Sequence, residues 1–382
     1  MAGPVMAIDV KIGVLNDRSG VYADLSGEGS VIAAQMAIED FGAAEKGINV
    51  EIVSADHQNK PDVASTIARQ WYDQDGVDAI FDVPTSSAAL AVHEITREKD
   101  KIFINSGAAA SEITGTQCSP NTVHWTYDTW ALANGTGSAM VQTGADTWYF
   151  LTADYAFGHA LERDTMAVVE AMGGEVLGTV RHPFPGQDFS SFLLQAQASG
   201  AKVIGLANAG GDTVNAIKQA AEFGITQGGQ ALAGLLIFIT DVDALGLQTA
   251  QGLVLTESFY WDLNDETREW SARFQERRNA KPTMVQAGVY AGVLHYLKAI
   301  EATQSTDADT VMAEMKATPT SDPLFGEGEV RADGRKVHDM YLFRVKSPEE
   351  STGEWDYYEL VATIPADSAF RPLADGGCEL VQ

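Results

Sequence analysis

The sequence predicts an α/β protein made of two doubly wound lobes, and three observations support this. Short apolar runs of strand length alternate with helix-favouring segments between residues 10 and 240. This alternation occurs twice, with a break near residue 125. A chain of 382 residues is also too long for one ordinary domain and suits two, each with its own core.

The clearest unit of this plan is a strand, a helix and a second strand in the first third of the chain. Two apolar runs, Ala79–Val83 and Ile102–Ile104, each break into small and hydroxylated residues. The segment 88–99 between them favours a helix, and a crossover of that length implies parallel strands. The turns at 84–87 and 105–109 are therefore predicted side by side at the carboxyl ends of neighbouring strands, where open α/β sheets bind ligands.

The other elements follow in order along the chain. In the first lobe we predict strands at residues 10–14 and 48–52, with helices from about 26 and from 61, where Pro61 suits a first helical position. In the second lobe we predict strands at 148–151, 203–206 and 235–239, and helices over 159–172 and from 212 to 223.

Aromatic-rich extended segments separate the lobes. Val123–Trp130 and Glu257–Asp262 are predicted to cross between them, and the helices predicted at 267–279 and 283–300 return the chain to the first lobe. A hairpin-like segment ending at Val345 then leads to a third crossing. The predicted division, given as ranges, is 8–124 with 263–337 for the first lobe, 125–262 with 338–382 for the second, and 1–7 as disordered residues or a remnant of recombinant production.

Charge and composition exclude several classes of function. Lys and Arg number 25 against 53 for Asp and Glu, a net charge of −28 that disfavours nucleic acid and anionic membrane surfaces as partners. No run of eighteen apolar residues is present, so no membrane insertion is predicted. The start of the chain lacks the charged region of a signal peptide. We expect a monomer.

No catalytic constellation or cofactor motif stands out. There is no phosphate-binding GxxxxGK[ST], no GxSxG and no CxxC. His93–Glu94 begins like a zinc-binding helix, but Arg97 occupies the position of the second histidine. We therefore predict no catalytic residue, no metal and no cofactor. Cys118 and Cys378 lie in polar segments and either form a disulfide typical of an oxidising compartment or remain free thiols.

The two turns of the first lobe favour an anionic ligand. Free backbone N–H groups at two helix starts, beside the hydroxyls of Thr85, Ser86 and Ser106, form a cluster of donors that suits a carboxylate. Arg18, in the turn after the first strand, is a further candidate for the carboxylate. The alternative interpretation is that these hydroxyls only cap a helix, which is their commonest role.

Taken together, these segments resemble the type I periplasmic solute-binding proteins of ABC importers, in the Leu/Ile/Val-binding group. The resemblance extends over nearly the whole chain, from VKIGVLNDRSG through VDAIFDVPTSS and INSGAAASEITG to LTADYAFGHAL. It looks closest to members that bind aromatic acids. It implies two Rossmann-like lobes with three hinge crossings, export to the periplasm, closure on a ligand and delivery of that ligand to a permease.

The resemblance also assigns site residues. The first strand-end loop of the family's site matches Val83, Pro84 and Thr85, and the second matches Gly107, Ala108 and Ala109. Ala109 stands where a threonine is usual, so only main-chain donors are expected there. Phe157 and Ala209 match positions that line the side-chain pocket of the family. The first acid after the third strand of the second lobe is Asp241, a departure that puts an α-amino acid ligand in doubt.

Aromatic residues near the predicted cleft favour a flat ligand. Collectively they suit a ring held between rings, although any one of them is as often core packing; they are Trp125, Tyr127, Trp130, Tyr155, Phe157, Tyr260 and Trp261. Asn208 and Asp241 are candidates to receive a ring hydroxyl. The predicted ligand is a hydroxybenzoate or hydroxycinnamate, with a branched-chain or other amino acid as the alternative and a small-molecule sensor of the same fold as the second.

Overall fold

A computed structural model describes residues 7–381 of the chain. It consists of two lobes, each built around a parallel sheet with helices on both faces, which confirms the predicted fold class. Residues 1–6, which belong to the segment predicted to be disordered or a remnant, lie outside the described residues.

Five parallel strands form the sheet of the first lobe. In the order β2-β1-β3-β4-β5 they are neighbours, and their bounds are β1 (Ile8–Asn16), β2 (Ile48–Asp56), β3 (Ala79–Asp82), β4 (Ile102–Asn105) and β5 (Thr122–His124). Every residue of β3 and β4 is buried, as expected for central strands covered on both faces. The covering helices are α1 (Gly27–Phe41), α2 (Pro61–Asp73) and α3 (Ser86–Glu98).

The second lobe repeats this arrangement with four parallel strands in the order β7-β6-β8-β9. They are β6 (Thr147–Ala153), β7 (Glu175–His182), β8 (Val203–Ala207) and β9 (Ala231–Gly234). The helices are α4 (Thr129–Leu132), α5 (Ser138–Gln142), α6 (Ala156–Ala171), α7 (Ser190–Ala198), α8 (Gly211–Glu222), α9 (Ile239–Leu245) and α10 (Leu247–Ala250), with a π-helical turn at Ala133–Gly137. The sequence analysis did not identify β7.

The predicted strand at 235–239 is wrong. The strand ends at Gly234, residues 235–238 have no strand pairing, and α9 begins at Ile239. The side chain of Ile237 folds back over the end of β9, since a Cβ added to Gly234 would lie 2.0 Å from Ile237 Cδ1. The run is apolar because it is buried, and a short apolar run does not distinguish a strand from a buried turn.

The last third of the chain completes both lobes. Its elements are β10 (Val254–Glu257), α11 (Asp265–Arg278), α12 (Met284–Thr303), α13 (Ala308–Ala317), β11 (Thr320–Asp322), β12 (Gly326–Val330), β13 (Lys336–Val337), β14 (Met340–Val345), β15 (Tyr358–Ile364) and α14 (Ala366–Ala369). Short 3₁₀ turns lie at Ala44–Lys46, Ser111–Thr114 and Leu373–Asp375.

Packing shows which lobe each of these later elements joins. The antiparallel sheet β10-β14-β15 buries Leu255 and Phe343 in the core cluster of the second lobe. The start of α12 is bonded to the start of α1, with Thr283 Oγ1 donating to Leu25 O at 2.6 Å and Gln286 Nε2 to Ser26 O at 3.0 Å. The chain therefore crosses between the lobes three times.

Cys118 and Cys378 form a disulfide with their Cα atoms 5.6 Å apart, which confirms the paired alternative. Arg371 Nη2 also donates to Ser111 O at 3.0 Å, so the last segment contacts residues assigned to the first lobe. These contacts span the predicted division at residue 338, and that division remains a prediction. Within residues 7–381 we find no helix with the length and apolar character needed to cross a bilayer.

Candidate functional site

A small cavity lies between the two lobes and is enclosed mainly by apolar side chains. The space between its walls that is not occupied by protein atoms is about 210 Å³, including space open to solvent. We call it the apolar cavity, and its lining residues are Tyr22, Leu25, Pro84, Gly107, Tyr127, Tyr155, Phe157, Ala209, Leu236 and Phe238.

The topology explains why these residues meet. Pro84 follows β3, Gly107 follows β4, Tyr155 follows β6 and Ala209 follows β8. The carboxyl ends of parallel strands share one edge of a sheet, and the two lobes turn those edges towards each other. Gly107 is required at its position, because a Cβ there would lie 2.6 Å from Pro84 Cα.

The cavity is aromatic and carries no charge. Of the ten lining side chains, which all belong to the described part of the chain, five are rings and none is ionic. Tyr127 Oη donates to Gly107 O at 2.7 Å, and the hydroxyls of Tyr22 and Tyr155 bond at 2.5 Å. Burial raises the pKa of each of these three tyrosines, so the phenols stay neutral.

Contacts between the lobes hold the cavity closed on one side. Gly211 N donates to Val21 O at 3.0 Å, and Tyr22 of the first lobe meets Tyr155 of the second through their hydroxyls. Gly210 has a φ of 57°, and a Cβ on it would lie 2.4 Å from Val21 O. The absence of a side chain at Gly210 therefore permits this approach of the two backbones.

Four helix starts lie close along the chain to residues of the cavity. Four helices of twelve or more residues, α1, α3, α6 and α8, begin within two residues of a lining residue. None of the four has a side-chain hydrogen bond at its N-cap within the described chain. The start of a helix favours an anion, and in α1 and α8 an acidic residue, Glu28 or Asp212, already lies in the first turn.

The first-lobe loops do not offer the predicted donors. Ala108 N donates to Asn105 Oδ1 at 2.9 Å, and Ala109 N donates to Ser86 Oγ at 3.3 Å. Thr85 Oγ1 is bonded to Asn59 Oδ1. Contrary to the prediction, the amides at 108 and 109 are not free to bind a carboxylate, because side chains of the same lobe already accept those N–H groups.

Val83 and Ala108 lie behind the cavity wall. Both pack in the core between the sheet and the helices of the first lobe, and Val83 N donates to Leu15 O at 2.9 Å. Ala109 is buried in the main core, with no surface on the cavity. Of the six predicted loop residues, Pro84 and Gly107 reach the cavity.

Four other predicted residues point elsewhere. Arg18 pairs with Glu28 and donates to Ser54 Oγ at 2.8 Å. Tyr260 packs in the second-lobe core and donates to Trp355 O at 3.1 Å. In the same lobe Asn208 is held by Thr213 and by His182, at 2.6 and 3.1 Å. Trp130 is partly buried on α4, outside the lining set.

Asp241 lies beside the cavity wall. Its Oδ2 accepts a hydrogen bond from the main-chain N–H of Phe238 at 3.0 Å. Burial raises the pKa of this carboxyl to about 7, an effect that the bond from Phe238 opposes. Asp241 therefore fixes the turn that presents Phe238 to the cavity.

Four lining residues were missed by the sequence analysis. Tyr22 follows the same strand as Arg18, and an aromatic residue in a strand-end turn was the available signal. Leu25 precedes α1, and Leu236 and Phe238 lie in the run that was predicted to be a strand. The predicted residues that do line the cavity are Pro84, Gly107, Tyr127, Tyr155, Phe157 and Ala209.

The sequence and the fold of this chain are similar to those of known proteins. A family model described as a periplasmic binding protein matches residues 9–353. A periplasmic binding protein from Burkholderia mallei is 52% identical, with a TM-score of 0.96 and coverage of 98% of this chain and 99% of that one.

Two further solved structures are similar to this chain; the description of one names a type of transporter, and that of the other a bound ligand. A branched-chain amino acid ABC transporter periplasmic ligand-binding protein from Burkholderia xenovorans is 43% identical, with a TM-score of 0.86 and coverage of 98% and 100%. An ABC transporter solute-binding protein from R. palustris in complex with benzoate is 22% identical, with a TM-score of 0.84 and coverage of 97% and 99%. At that identity the last likeness concerns the fold.

Proposed function

This chain belongs to the periplasmic binding protein family, and from that premise we propose that it binds a small aromatic carboxylate of the hydroxybenzoate or hydroxycinnamate type. It is a solute-binding protein of an ABC transporter, and such proteins deliver ligands to permease subunits. The role is one of binding, and we propose no catalytic activity.

The observation that carries the proposal is the uncharged, ring-lined apolar cavity. Rings of Tyr22 and Tyr155 from opposite lobes bound it, with Phe157 beside Tyr155 at a centroid distance of 5.9 Å. Flat aromatic ligands gain most from such walls, through burial and through contacts between rings. An aliphatic ligand gains only the burial.

The cavity is small, with about 210 Å³ between its walls even when space open to solvent is included. Of the two proposed ligand types, the single-ring benzoates need less space than the longer hydroxycinnamates, so we propose them first.

The charged end of the ligand would be stabilised by helix starts. With no cation on the wall, the proposed donors are main-chain N–H groups at the first turns of α1, α3, α6 and α8, other than Gly211 N, which donates to Val21 O. This arrangement suits a single carboxylate. It also explains how a protein with a net charge of −28 holds an anion, because the stabilisation is local.

A branched-chain amino acid is the second candidate. The 43% identical Burkholderia xenovorans protein is described as a ligand-binding protein of a branched-chain amino acid transporter. An amino acid also carries an ammonium group, which needs an acidic or carbonyl partner when buried. The described cavity wall has no carboxylate, since Asp241 is bonded to Phe238 N behind that wall.

A ligand panel tests the proposal directly. We would measure thermal shifts and calorimetric affinities for benzoate, 4-hydroxybenzoate, 4-hydroxycinnamate, leucine and valine. A ligand at about 100 times its Kd should stabilise the protein by roughly 2.7 kcal/mol. We expect the benzoates to give the largest shifts. Shifts with leucine or valine and none with the aromatic acids would overturn the proposal.

A matched pair of variants assigns the binding to the cavity. Phe157→Ala removes a lining ring and should weaken 4-hydroxybenzoate by roughly 1–3 kcal/mol. Phe223→Ala removes a ring that is 39% exposed at the end of α8 and should leave the affinity unchanged. Equal losses in the two variants would place the ligand elsewhere.

A further inference from the structure

A second space lies between the lobes, beside the apolar cavity, and is polar. It contains about 600 Å³, including space open to solvent. The first lobe contributes residues 278–281 at the end of α11, and the second contributes Thr240 and Trp355. We call this space the interlobe chamber.

Lys281 is the most unusual residue of the chamber. The residue is 9% exposed, and its Nζ lies 4.1 Å from the centroid of the Trp261 ring. Across residues 7–381 this amine has no hydrogen-bond or ion-pair partner within the usual distances. Burial lowers the pKa of Lys281, an effect that the more distant Asp262 opposes. The stem of Lys281 is buried, while its ammonium reaches the solvent of the chamber with three N–H donors and no acceptor from the described chain, an arrangement that suits an anion beside it.

Two other side chains of the chamber also carry hydrogen-bond donors that lack an acceptor within residues 7–381. The nearest carboxylate oxygen to Arg278 is Asp24 Oδ1 at 3.8 Å, which is too far for a hydrogen bond, and the Asp24 side chain is 84% exposed. Thr240 Oγ1, on the opposite lobe, is a buried atom without a partner in the described chain. Donors from both lobes therefore face one space.

The two acids of the chamber, Asp24 and Asp243, equal its two cations in number but form no hydrogen bond with them. Asp24 Oδ1 lies 3.8 Å from Arg278, and Asp243 accepts a hydrogen bond from Tyr357 Oη at 2.6 Å, within the second lobe. A structural explanation is available for Arg278, because a cation in the last turn of α11 complements the helix dipole. It does not apply to Lys281, which lies beyond the helix and is buried.

We propose that the interlobe chamber binds a small oxyanion, either phosphate or a carboxylate, between Lys281 and Arg278 of the first lobe and Thr240 of the second. An anion held from both lobes stabilises their closed arrangement, because it binds that arrangement more tightly than separated lobes. The chamber has its own donors, so this site can be tested without the aromatic ligand proposed above.

Inorganic phosphate tests the site without any aromatic ligand. We would follow the melting temperature of the full chain against phosphate concentration, with sodium chloride keeping the ionic strength constant. We expect a saturable rise for the wild type. Lys281→Met keeps the aliphatic stem over Trp261 and should weaken phosphate at least tenfold, whereas Lys218→Met, at an exposed lysine of α8, should not.

Other variants keep the test decisive if Lys281→Met folds poorly. Arg278→Gln should also weaken phosphate, and Lys281→Arg should retain binding because the charge remains. The proposal is overturned if chloride alone gives the same rise, or if the rise is the same in the wild type, Lys281→Met and Arg278→Gln.

A second experiment, the effect of phosphate on 4-hydroxybenzoate binding, shows whether the anion is a separate molecule or the carboxylate of the aromatic ligand. If a separate anion fills the chamber, phosphate tightens 4-hydroxybenzoate binding through closure. If the carboxylate of the ligand reaches the chamber, phosphate competes with 4-hydroxybenzoate, and Lys281→Met weakens both. No effect of phosphate on a measurable 4-hydroxybenzoate affinity would contradict coupling through the chamber. Failure of 4-hydroxybenzoate to bind at all would instead contradict the proposed function.

Discussion

The two spaces between the lobes are built from neighbouring residues and have opposite chemistry. Leu25 lines the apolar cavity, and Asp24, the residue before it, lines the interlobe chamber. On the other lobe Phe238 faces the cavity and Thr240 the chamber. The same two chain segments thus separate an uncharged, ring-lined space from one lined by two cations and two carboxylates.

This difference shows where a charged side chain can be placed in a small cleft without losing its hydration. A cation inside the apolar cavity would lose its hydration whenever no ligand compensated it. Main-chain N–H groups at helix starts attract an anion without carrying a full charge. The cations are placed in the larger chamber, which is open to solvent. Selectivity for a ring and attraction for an anion are therefore assigned to different groups.

Separating the lobes should remove both spaces at once, and this is the largest effect we expect. Gly210→Ala places a Cβ 2.4 Å from Val21 O at a residue with a φ of 57°. A side chain at this positive φ costs about 1–3 kcal/mol, and the clash opposes closure. We expect calorimetry to show at least a hundredfold loss of affinity for 4-hydroxybenzoate.

Gly200→Ala is the matched control for this prediction. Its φ is 70°, and no atom lies within 4 Å of an added Cβ. It should cost stability without changing affinity. Equal affinities in the two variants would show that the contact of Gly210 with Val21 is not needed for binding.

A negative charge placed in the apolar cavity should remove its uncharged character and weaken the binding of an aromatic carboxylate. Ala209→Asp puts a carboxylate on the wall, and two unit charges about 8 Å apart at an effective dielectric constant of about 20 repel by about 2 kcal/mol. We expect about a thirtyfold loss of affinity for 4-hydroxybenzoate, measured by calorimetry at pH 8.

Ala209→Asn has nearly the same volume without the charge and should lose much less affinity. If the two variants bind equally, the ligand carboxylate is far from residue 209. If Ala209→Asp gains affinity for leucine, the wall has become that of an amino acid site.

Breaking the hydrogen bond between the Tyr22 and Tyr155 hydroxyls, which joins the two lobes, should weaken ligand binding moderately. Tyr22→Phe removes one partner of the 2.5 Å contact and leaves the Tyr155 hydroxyl buried. Losing a buried hydrogen bond costs about 1 kcal/mol, or about fivefold in affinity. We expect Tyr22→Phe with Tyr155→Phe to recover part of the loss, because no hydroxyl is then left unpaired. A double variant as weak as the sum of the two single variants would show that the hydroxyls act independently.

The sequence allowed prediction of the strand ends but not of the side-chain directions. Pro84, Gly107 and Tyr155 were predictable because parallel strands end at one edge, wherever their side chains point. Tyr22 and Arg18 share one turn, and only the backbone path decides that Tyr22 faces inward while Arg18 pairs with Glu28. Residue type alone favoured Arg18 over Tyr22, because a cation is the usual partner of an anion.

The donor prediction failed for a related reason. An amide in a loop is available to a ligand only if no nearby side chain accepts it. Asn105 accepts Ala108 N through a local contact within one turn, of a kind that asparagine often makes. Ser86 accepts Ala109 N through a contact that depends on tertiary geometry. The same limit applies to Lys281, whose burial against Trp261 has no counterpart in local sequence.

The smallest effect concerns Asp241, which lies in the segment between the two spaces. Burial raises the pKa of its carboxyl to about 7, the bond from Phe238 N lowers it, and the negative charge of Asp24 raises it. The ordinary value is about 4, so the folded protein retains this proton between about pH 4 and pH 7 while the unfolded chain has lost it. The stability associated with this group is therefore present below pH 4 and is lost as the pH rises to about 7.

The same titration should affect the ligand weakly. Above pH 7 the Asp241 carboxylate repels the ligand carboxylate through the wall formed by Phe238, so affinity should fall about twofold between pH 6 and pH 8. Asp241→Asn keeps an acceptor for Phe238 N and should remove the Asp241 part of this slope, as measured by calorimetry at the two pH values. Asp212, whose pKa burial also raises to about 7 and whose charge acts on Tyr22 and Tyr155, titrates in the same range, so Asp212→Asn measures a separate part and should leave the Asp241 contribution in place. If Asp241→Asn retained the full slope, the titrating group would lie elsewhere, and residues 238–241 would separate the two spaces by shape alone.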